Sequence, residues 1–211
     1  MKVLVLGAGN MGAAFVKQLV LAGHDVSVAS RSGDKAQALA AAHPGARAVP
    51  ASHAAVGADV IILATAYPDA ADALRSVGDL TGKTVIDISN PLTADYMGLT
   101  LGHATSAAEE IAKAVPQARL VKGFNTLFAQ VLAQGADFGE GRHATVFLAG
   151  DHADAKQTAT ALAVSMGFEA VDAGQLHNAR YLEPLAGLNV YLGYGAGRGT
   201  AIAPTWIARA A

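Results

Sequence analysis

Residues 3–12 read Val-Leu-Val-Leu-Gly-Ala-Gly-Asn-Met-Gly, an apolar strand that runs directly into Gly-x-Gly-x-x-Gly. The spacing has a mechanical meaning. Gly7 permits a tight turn out of the strand, Gly9 removes a side chain where backbone must approach a pyrophosphate, and Gly12 lets the next helix pack close to the sheet. A helix beginning near Asn10 then aims its first amides and the positive end of its dipole at the phosphates. Glycine-rich turns are common, so the context decides. Here the triplet lies between a strand, Lys2 to Leu6, and an amphipathic helix, Met11 to Ala22, and a second strand, Asp25 to Ser30, follows. That context predicts a dinucleotide site on a parallel sheet.

The end of the second strand identifies the dinucleotide. An acid there holds the ribose 2′-hydroxyl of NAD, whereas a cation accommodates a 2′-phosphate. The chain has no acid at the strand end and continues Ser30-Arg31-Ser32-Gly33-Asp34-Lys35. Two hydroxyls and two cations at Ser30, Arg31, Ser32 and Lys35 predict NADP. The alternative is that Ser32 caps the next helix and that Arg31 and Lys35 are solvated surface charges.

Composition narrows the class. A chain of 211 residues, 52% hydrophobic and 15% charged, is large enough to bury one substantial core and is expected to form one domain over 1–211. A formal net charge of −2 offers no basic stripe for nucleic acid. No cysteine is present, which excludes disulfides, thiolate metal sites and cysteine nucleophiles. The apolar run near Met1 is interrupted by Lys17 and Gln18, unlike a signal peptide, and no long charge-free apolar stretch predicts a membrane span. A cytoplasmic location is expected.

Strand and helix signals alternate along the chain, the pattern of a doubly wound, mainly parallel sheet with helices on both faces. Further strands are expected at Ala46–Val49, Asp59–Ala64, Lys83–Ile88, Ala118–Val121, Ala144–Ala149 and Glu169–Asp172. Helices are expected at Lys35–Ala42, Pro68–Val77, Ala107–Ala114, Leu127–Ala133 and Asp154–Met166, the third carrying a capping pair at Ser106 and Glu109. Leu176–Tyr194 has apolar residues at helical spacing, and the glycines from Gly193 to Gly199 read as close packing or a helix break, since no strand precedes them.

Ligands of such sheets lie across the carboxyl ends of the strands. Those ends bring together the glycine turn, Ser30 and Arg31, Thr65 and Tyr67, Asn90 and Pro91, and Lys122 to Asn125. Asn90-Pro91 also reads as a turn, and Tyr67 as a half-buried aromatic. The seven histidines show no metal-ligand spacing, and there is no Gly-x-Ser-x-Gly elbow, so neither a metal nor a hydrolase is expected. A dehydrogenase acting on an alcohol needs a positioned acid or base. Lys122 is a candidate, although a lysine at a strand end is expected at the surface or on a phosphate.

Taken together, Gly-x-Gly-Asn-Met-Gly at 7–12, Ser-Arg-Ser at 30–32, Asp-Ile-Ser-Asn-Pro-Leu at 87–92, Thr-Ser-Ala-Ala-Glu-Glu-Ile-Ala at 105–112, Val-Lys-Gly-Phe-Asn-Thr at 121–126 and Ala-Arg-Tyr-Leu-Glu-Pro-Leu-Ala at 179–186 give the chain a family likeness. It resembles the NADP oxidoreductases that depend on the deazaflavin coenzyme F420, and the cytosolic reductase domains of the six-transmembrane metalloreductases. The resemblance implies that Gly7, Gly9, Asn10, Met11 and Gly12 hold the pyrophosphate and that Ser30, Arg31, Ser32 and Lys35 hold the 2′-phosphate. Thr65, Tyr67, Asn90 and Pro91 would line the nicotinamide half. Asn125, Leu127 and Phe128 would border the nicotinamide and a second cofactor, coenzyme F420 or a flavin, whose polar portion His103 or Arg180 would meet. Hydride would pass directly between stacked rings about 3–3.5 Å apart, which requires no charged catalytic side chain. The alternatives are a short relative of the β-hydroxyacid or imine-reducing dehydrogenases and a non-catalytic NADP sensor. The segment from about 173 to 211 is expected to build the acceptor site and, through Leu182, Leu185, Leu188, Val190, Tyr191 and Tyr194, a homodimer contact.

Overall fold

Alternate residues of the first strand serve two different cores. In β1 (Lys2–Leu6), Val3 and Val5 face one apolar cluster and Leu4 and Leu6 the other, so the strand is buried on both sides and reads as a continuous apolar run. The computed structural model describes residues 1–207 and 209; residues 208, 210 and 211 of the expected C-terminal segment lie outside it. After β1 come α1 (Asn10–Leu21), β2 (Asp25–Ala29), α2 (Gly33–Ala41), β3 (Ala46–Ala48), β4 (Val60–Leu63), α3 (Tyr67–Arg75), β5 (Thr84–Asp87) and α4 (Ala107–Ala114). The chain continues through β6 (Arg119–Lys122), α5 (Ala129–Gln134), β7 (Thr145–Gly150), α6 (Ala153–Ser165), β8 (Glu169–Asp172) and α7 (Ala179–Val190).

The strands form one sheet in the order β3-β2-β1-β4-β5-β6-β7-β8. The first six are parallel. Strand order reverses between β1 and β4, which puts the glycine turn after β1 at the switch point, where open α/β sheets take their ligands. The Rossmann-type expectation is met, with one feature at the edge: β7 pairs antiparallel with β6 over two residues, and β8 follows β7 in parallel.

On one side of the sheet, Phe15 of α1, Val131 of α5 and Leu162 of α6 pack on Val5, Ile62 and Ile86. On the other, Leu74 of α3 and Ile111 of α4 cover Leu4, Ile61 and Leu63. Each fully buried side chain of this size contributes roughly 1.5–3 kcal/mol of burial. The expected cap of α4 forms, with Ser106 Oγ accepting from the Glu109 amide at 3.2 Å and donating to the Glu109 carboxylate at 2.8 Å. Helix α7 begins at Ala179, three residues later than the sequence pattern, and passes at Tyr191–Gly195 into one wider π-helical turn. No helix among the described residues is long and apolar enough to cross a membrane.

Candidate active site

The three glycines of the turn have different tasks. Gly7 has φ +126, a left-handed conformation, and a Cβ there would lie 2.3 Å from the Ala64 carbonyl oxygen. A Cβ on Gly12 would lie 2.0 Å from the Gly7 carbonyl oxygen. Both are therefore required for the turn to close on β4 and for α1 to approach it. Gly9 is different: a Cβ there would meet nothing within 4 Å. It caps α1 without a side-chain hydrogen bond, and no acid lies in the first turn, so the first amides of the helix present an electropositive end. Asn10 and Met11 do not line the groove beside it, and Met11 packs on the core.

A groove of about 620 Å³ runs from this turn along the ends of β1, β2 and β4, lined by Gly7, Gly9, Ser30, Arg31, Ser32 and Lys35 and by Thr65 and Asp69. Ser32 caps α2, accepting from the Lys35 amide at 3.4 Å, and also lines the groove. Ser30 Oγ donates to the Ser32 carbonyl at 2.5 Å and stiffens the loop. Arg31 is bound by an acid that sequence reading missed. Asp69, in the first turn of α3, accepts from both terminal guanidinium nitrogens at 3.1 and 3.2 Å. The only signal in the sequence was an acid one residue after Pro68 on the helix that leaves a switch-point strand.

Farther along the same edge of the sheet, the segments that follow β5 and β6 are tied by two asparagines. Asn90 Nδ2 donates to the Asn125 carbonyl at 2.9 Å, Asn125 Nδ2 donates to Asn90 Oδ1 at 3.0 Å, and the same Asn125 nitrogen donates to the Leu182 carbonyl of α7 at 3.0 Å. The two backbone carbonyls accept only, which fixes both amide orientations. Four buried side-chain atoms among the described residues lack a partner: Thr65 Oγ1, Ser89 Oγ, Asn125 Oδ1 and Thr126 Oγ1. All follow β4, β5 or β6 within four residues, which concentrates unmet hydrogen-bonding capacity where a ligand of this fold lies. Phe124, just before Asn125, adopts a left-handed φ of +59 while packed edge-on against Phe15 and Phe168. Core packing holds this uncommon conformation, which turns the chain sharply after β6.

Lys122 is not at the surface, a correction to the expectation for a strand-end lysine. It is fully buried, and its ammonium donates to Asp87 at 2.7 Å, to the Ser89 carbonyl at 2.6 Å and pairs with Glu183 of α7 at 2.9 Å. Burial alone would lower its pKa, but the attraction of Asp87 and Glu183 and their hydrogen bonds outweigh it and hold the group above the ordinary lysine value. Glu183 also accepts from the Ala107 and Ala108 amides at 2.9 and 3.1 Å, placing a carboxylate on the N-terminus of α4. The three charges are thus a satisfied structural node with all three ammonium protons committed. Glu183 lies in the 179–186 stretch that carries the family likeness, but nothing in that stretch announces Lys122 as its partner.

Tyr67 opens α3 beside this node. Burial, and after it the carboxylates of Glu110, Glu183 and Asp87, push its phenol above the ordinary value and keep it a neutral donor. Pro91 follows Asn90 into the loop that leads to α4. Leu127 and Phe128 are buried beyond Asn125, and the ring of Phe128 meets Tyr194 edge-on at 5.6 Å. A Cβ on Gly193 would lie 2.6 Å from Phe128, so that glycine serves close packing. The remaining two residues stand apart. His103 is exposed on the loop before α4, and Arg180 is bound to Glu109 by two hydrogen bonds of 2.8 and 2.6 Å. The Arg180 hydrogen bond is the main cause that holds Glu109 below the ordinary carboxylate range.

Residues 2–91 match the family described as NADP oxidoreductase coenzyme F420-dependent. The chain is 32% identical over 185 residues to metalloreductase STEAP3 of Rattus norvegicus, covering 87% of this chain but only 36% of that protein. It is 31% identical over 209 residues to the F420-dependent NADP reductase of Methanothermobacter marburgensis, covering 91% of this chain and 92% of the relative. A crystal structure of a candidate F420-dependent NADP reductase from Arthrobacter sp. FB24 superposes with a TM-score of 0.85 at 29% identity, over 99% of this chain and 100% of that one. From likeness along nearly the full length of the methanogen reductase and the Arthrobacter structure, the chain belongs to the family of coenzyme F420-dependent NADP oxidoreductases.

Proposed function

We propose that this protein transfers a hydride between NADP(H) and a deazaflavin of the coenzyme F420 type, with a flavin as the next acceptor, by direct contact of the two rings. The observation that carries this reading is the commitment of Lys122. Lys122, the one fully buried lysine among the described residues, spends its protons on Asp87, Ser89 and Glu183, which leaves amides and hydroxyls to act by positioning. NADPH held in this groove would supply a hydride to C5 of a deazaflavin (N5 of a flavin), with a proton taken up from solvent.

Gly9 and the first amides of α1 receive the pyrophosphate in this reading, and Ser30, Arg31, Ser32 and Lys35 receive the 2′-phosphate. Thr65, Tyr67 and the Asn90–Asn125 pair line the nicotinamide, and Leu127 and Phe128 lie toward the acceptor. Arg31→Ala weakens NADPH by about 10- to 150-fold, the range of one lost charge-assisted hydrogen bond, and leaves NADH nearly unchanged. Fluorescence titration of both coenzymes checks this; equal losses would remove Arg31 from the 2′-phosphate.

The test of the reaction is an acceptor screen. Purified protein oxidises NADPH with coenzyme F420 without added metal, and deuterium at the nicotinamide C4 appears on deazaflavin C5 instead of exchanging with water. Tight NADPH binding with no turnover on any deazaflavin or flavin would convert the reading to that of a sensor.

The same reading takes the chain as a single cytoplasmic domain whose C-terminal segment completes the acceptor side and forms a homodimer. Of the residues expected at that contact, Leu188, Tyr191 and Tyr194 are more than half exposed, as are Tyr181 and Trp206, and such apolar exposure favours association; Leu182 is instead buried within the protein, and Leu185 and Val190 are half-buried. Sedimentation at micromolar concentration reads the assembly, and a monomer removes this part.

A further inference from the structure

We propose that Asp69 is a coenzyme-selectivity residue that opposes the 2′-phosphate by holding Arg31; the proposal rests on the NADP reading of the groove. The carboxylate of Asp69 reaches across from the first turn of α3 and takes both terminal nitrogens of Arg31, at 3.1 and 3.2 Å. Both side chains line the groove with Ser30, Ser32 and Lys35. A 2′-phosphate entering among these residues needs the guanidinium that Asp69 already occupies, and it brings two negative charges toward a third.

The pair is well placed to be exchanged. Its side chains are 84% and 43% exposed, so breaking it costs little, as for most solvated ion pairs. A ribose that carries a free 2′-hydroxyl presents a donor instead, which a carboxylate accepts without repulsion. Asp69 therefore narrows the preference for NADP over NAD. It does so from a different element than the second-strand acid that marks NAD sites.

Asp69→Asn removes the charge and keeps the size. The Asp69 amide donates to the Ala66 carbonyl at 3.1 Å through backbone alone, so the turn that starts α3 survives the change. NADPH is expected to bind about 3- to 10-fold more tightly, the scale of like-charge repulsion from a dianion across a few ångström of solvated surface, and NADH no more tightly. The gain shrinks at high salt, and in an Arg31→Ala background only the part due to direct repulsion by Asp69 remains, because the competition for the guanidinium is gone. Dissociation constants for both coenzymes, measured by fluorescence titration or calorimetry, read the effect independently of turnover. An unchanged or lower NADPH-to-NADH preference in Asp69→Asn overturns the proposal. Wild-type protein that binds neither coenzyme overturns the underlying reading as well, which separates the two failures.

Discussion

Lys122→Met loses about 3–5 kcal/mol of unfolding free energy, because it strands Asp87 and Glu183 as buried carboxylates with no cation between them. The loss exceeds that expected from one hydrogen bond. The ammonium also holds the Ser89 carbonyl, and Ser89 begins the loop that presents Asn90 to Asn125. The variant that does fold therefore binds NADPH less well as the loop loosens. Urea denaturation gives the stability term, and a variant within about 1 kcal/mol of wild type would show that the node is not what holds the cleft. Linkage sets the pH range of the contrast. The folded Lys122 group titrates above its unfolded value of about 10.4, so its contribution is complete below that pH and is lost only as pH rises through the folded value. The difference between wild type and variant is accordingly largest on the neutral side and declines in strong alkali.

Gly9→Val leaves the protein as stable as wild type and abolishes binding of both coenzymes by more than about 100-fold. A Cβ at Gly9 meets nothing within 4 Å in the protein itself, and the backbone there has a φ of −87 that any residue adopts. What the side chain displaces is the pyrophosphate, with the several charge-assisted hydrogen bonds it would make to the helix end. Gly12→Ala is the opposite control. Its Cβ would stand 2.0 Å from the Gly7 carbonyl oxygen, so the helix must move off the turn and the melting temperature falls. Thermal unfolding and coenzyme titration on the two variants separate a glycine needed by the ligand from one needed by the fold. Retention of NADPH by Gly9→Val would place the pyrophosphate elsewhere.

The glycine turn was legible because its demands are local: a strand, three glycines and a helix within a dozen residues permit few other conformations. The strand-end residues Thr65, Asn90 and Asn125 were legible for a related reason, since strands of a parallel sheet deliver their ends to one edge. Asp69 and Glu183 were not. Each matters through a partner distant in sequence, Arg31 in one case and Lys122 in the other, and an acid on a helix has no pattern that announces such a partner. The burial of Lys122 was misread for the same reason, because a strand-end lysine looks exposed until α7 brings the second carboxylate. The reversed direction of β7 also escaped, since an apolar strand reads alike in either direction.

Helix α7 joins the end of β6 and the segment after it at three places: Glu183 to Lys122, Leu182 to Asn125, and Asn189 to the Thr126 carbonyl. Two of these contacts span 57 and 63 residues. On a ribosome adding about 5–20 residues per second, the nascent chain carries Lys122 for several seconds before its partner helix has been made. The glycine turn and the first six strands are made well before α7, so the end of β6 takes its final, fully paired place only once that helix has been added.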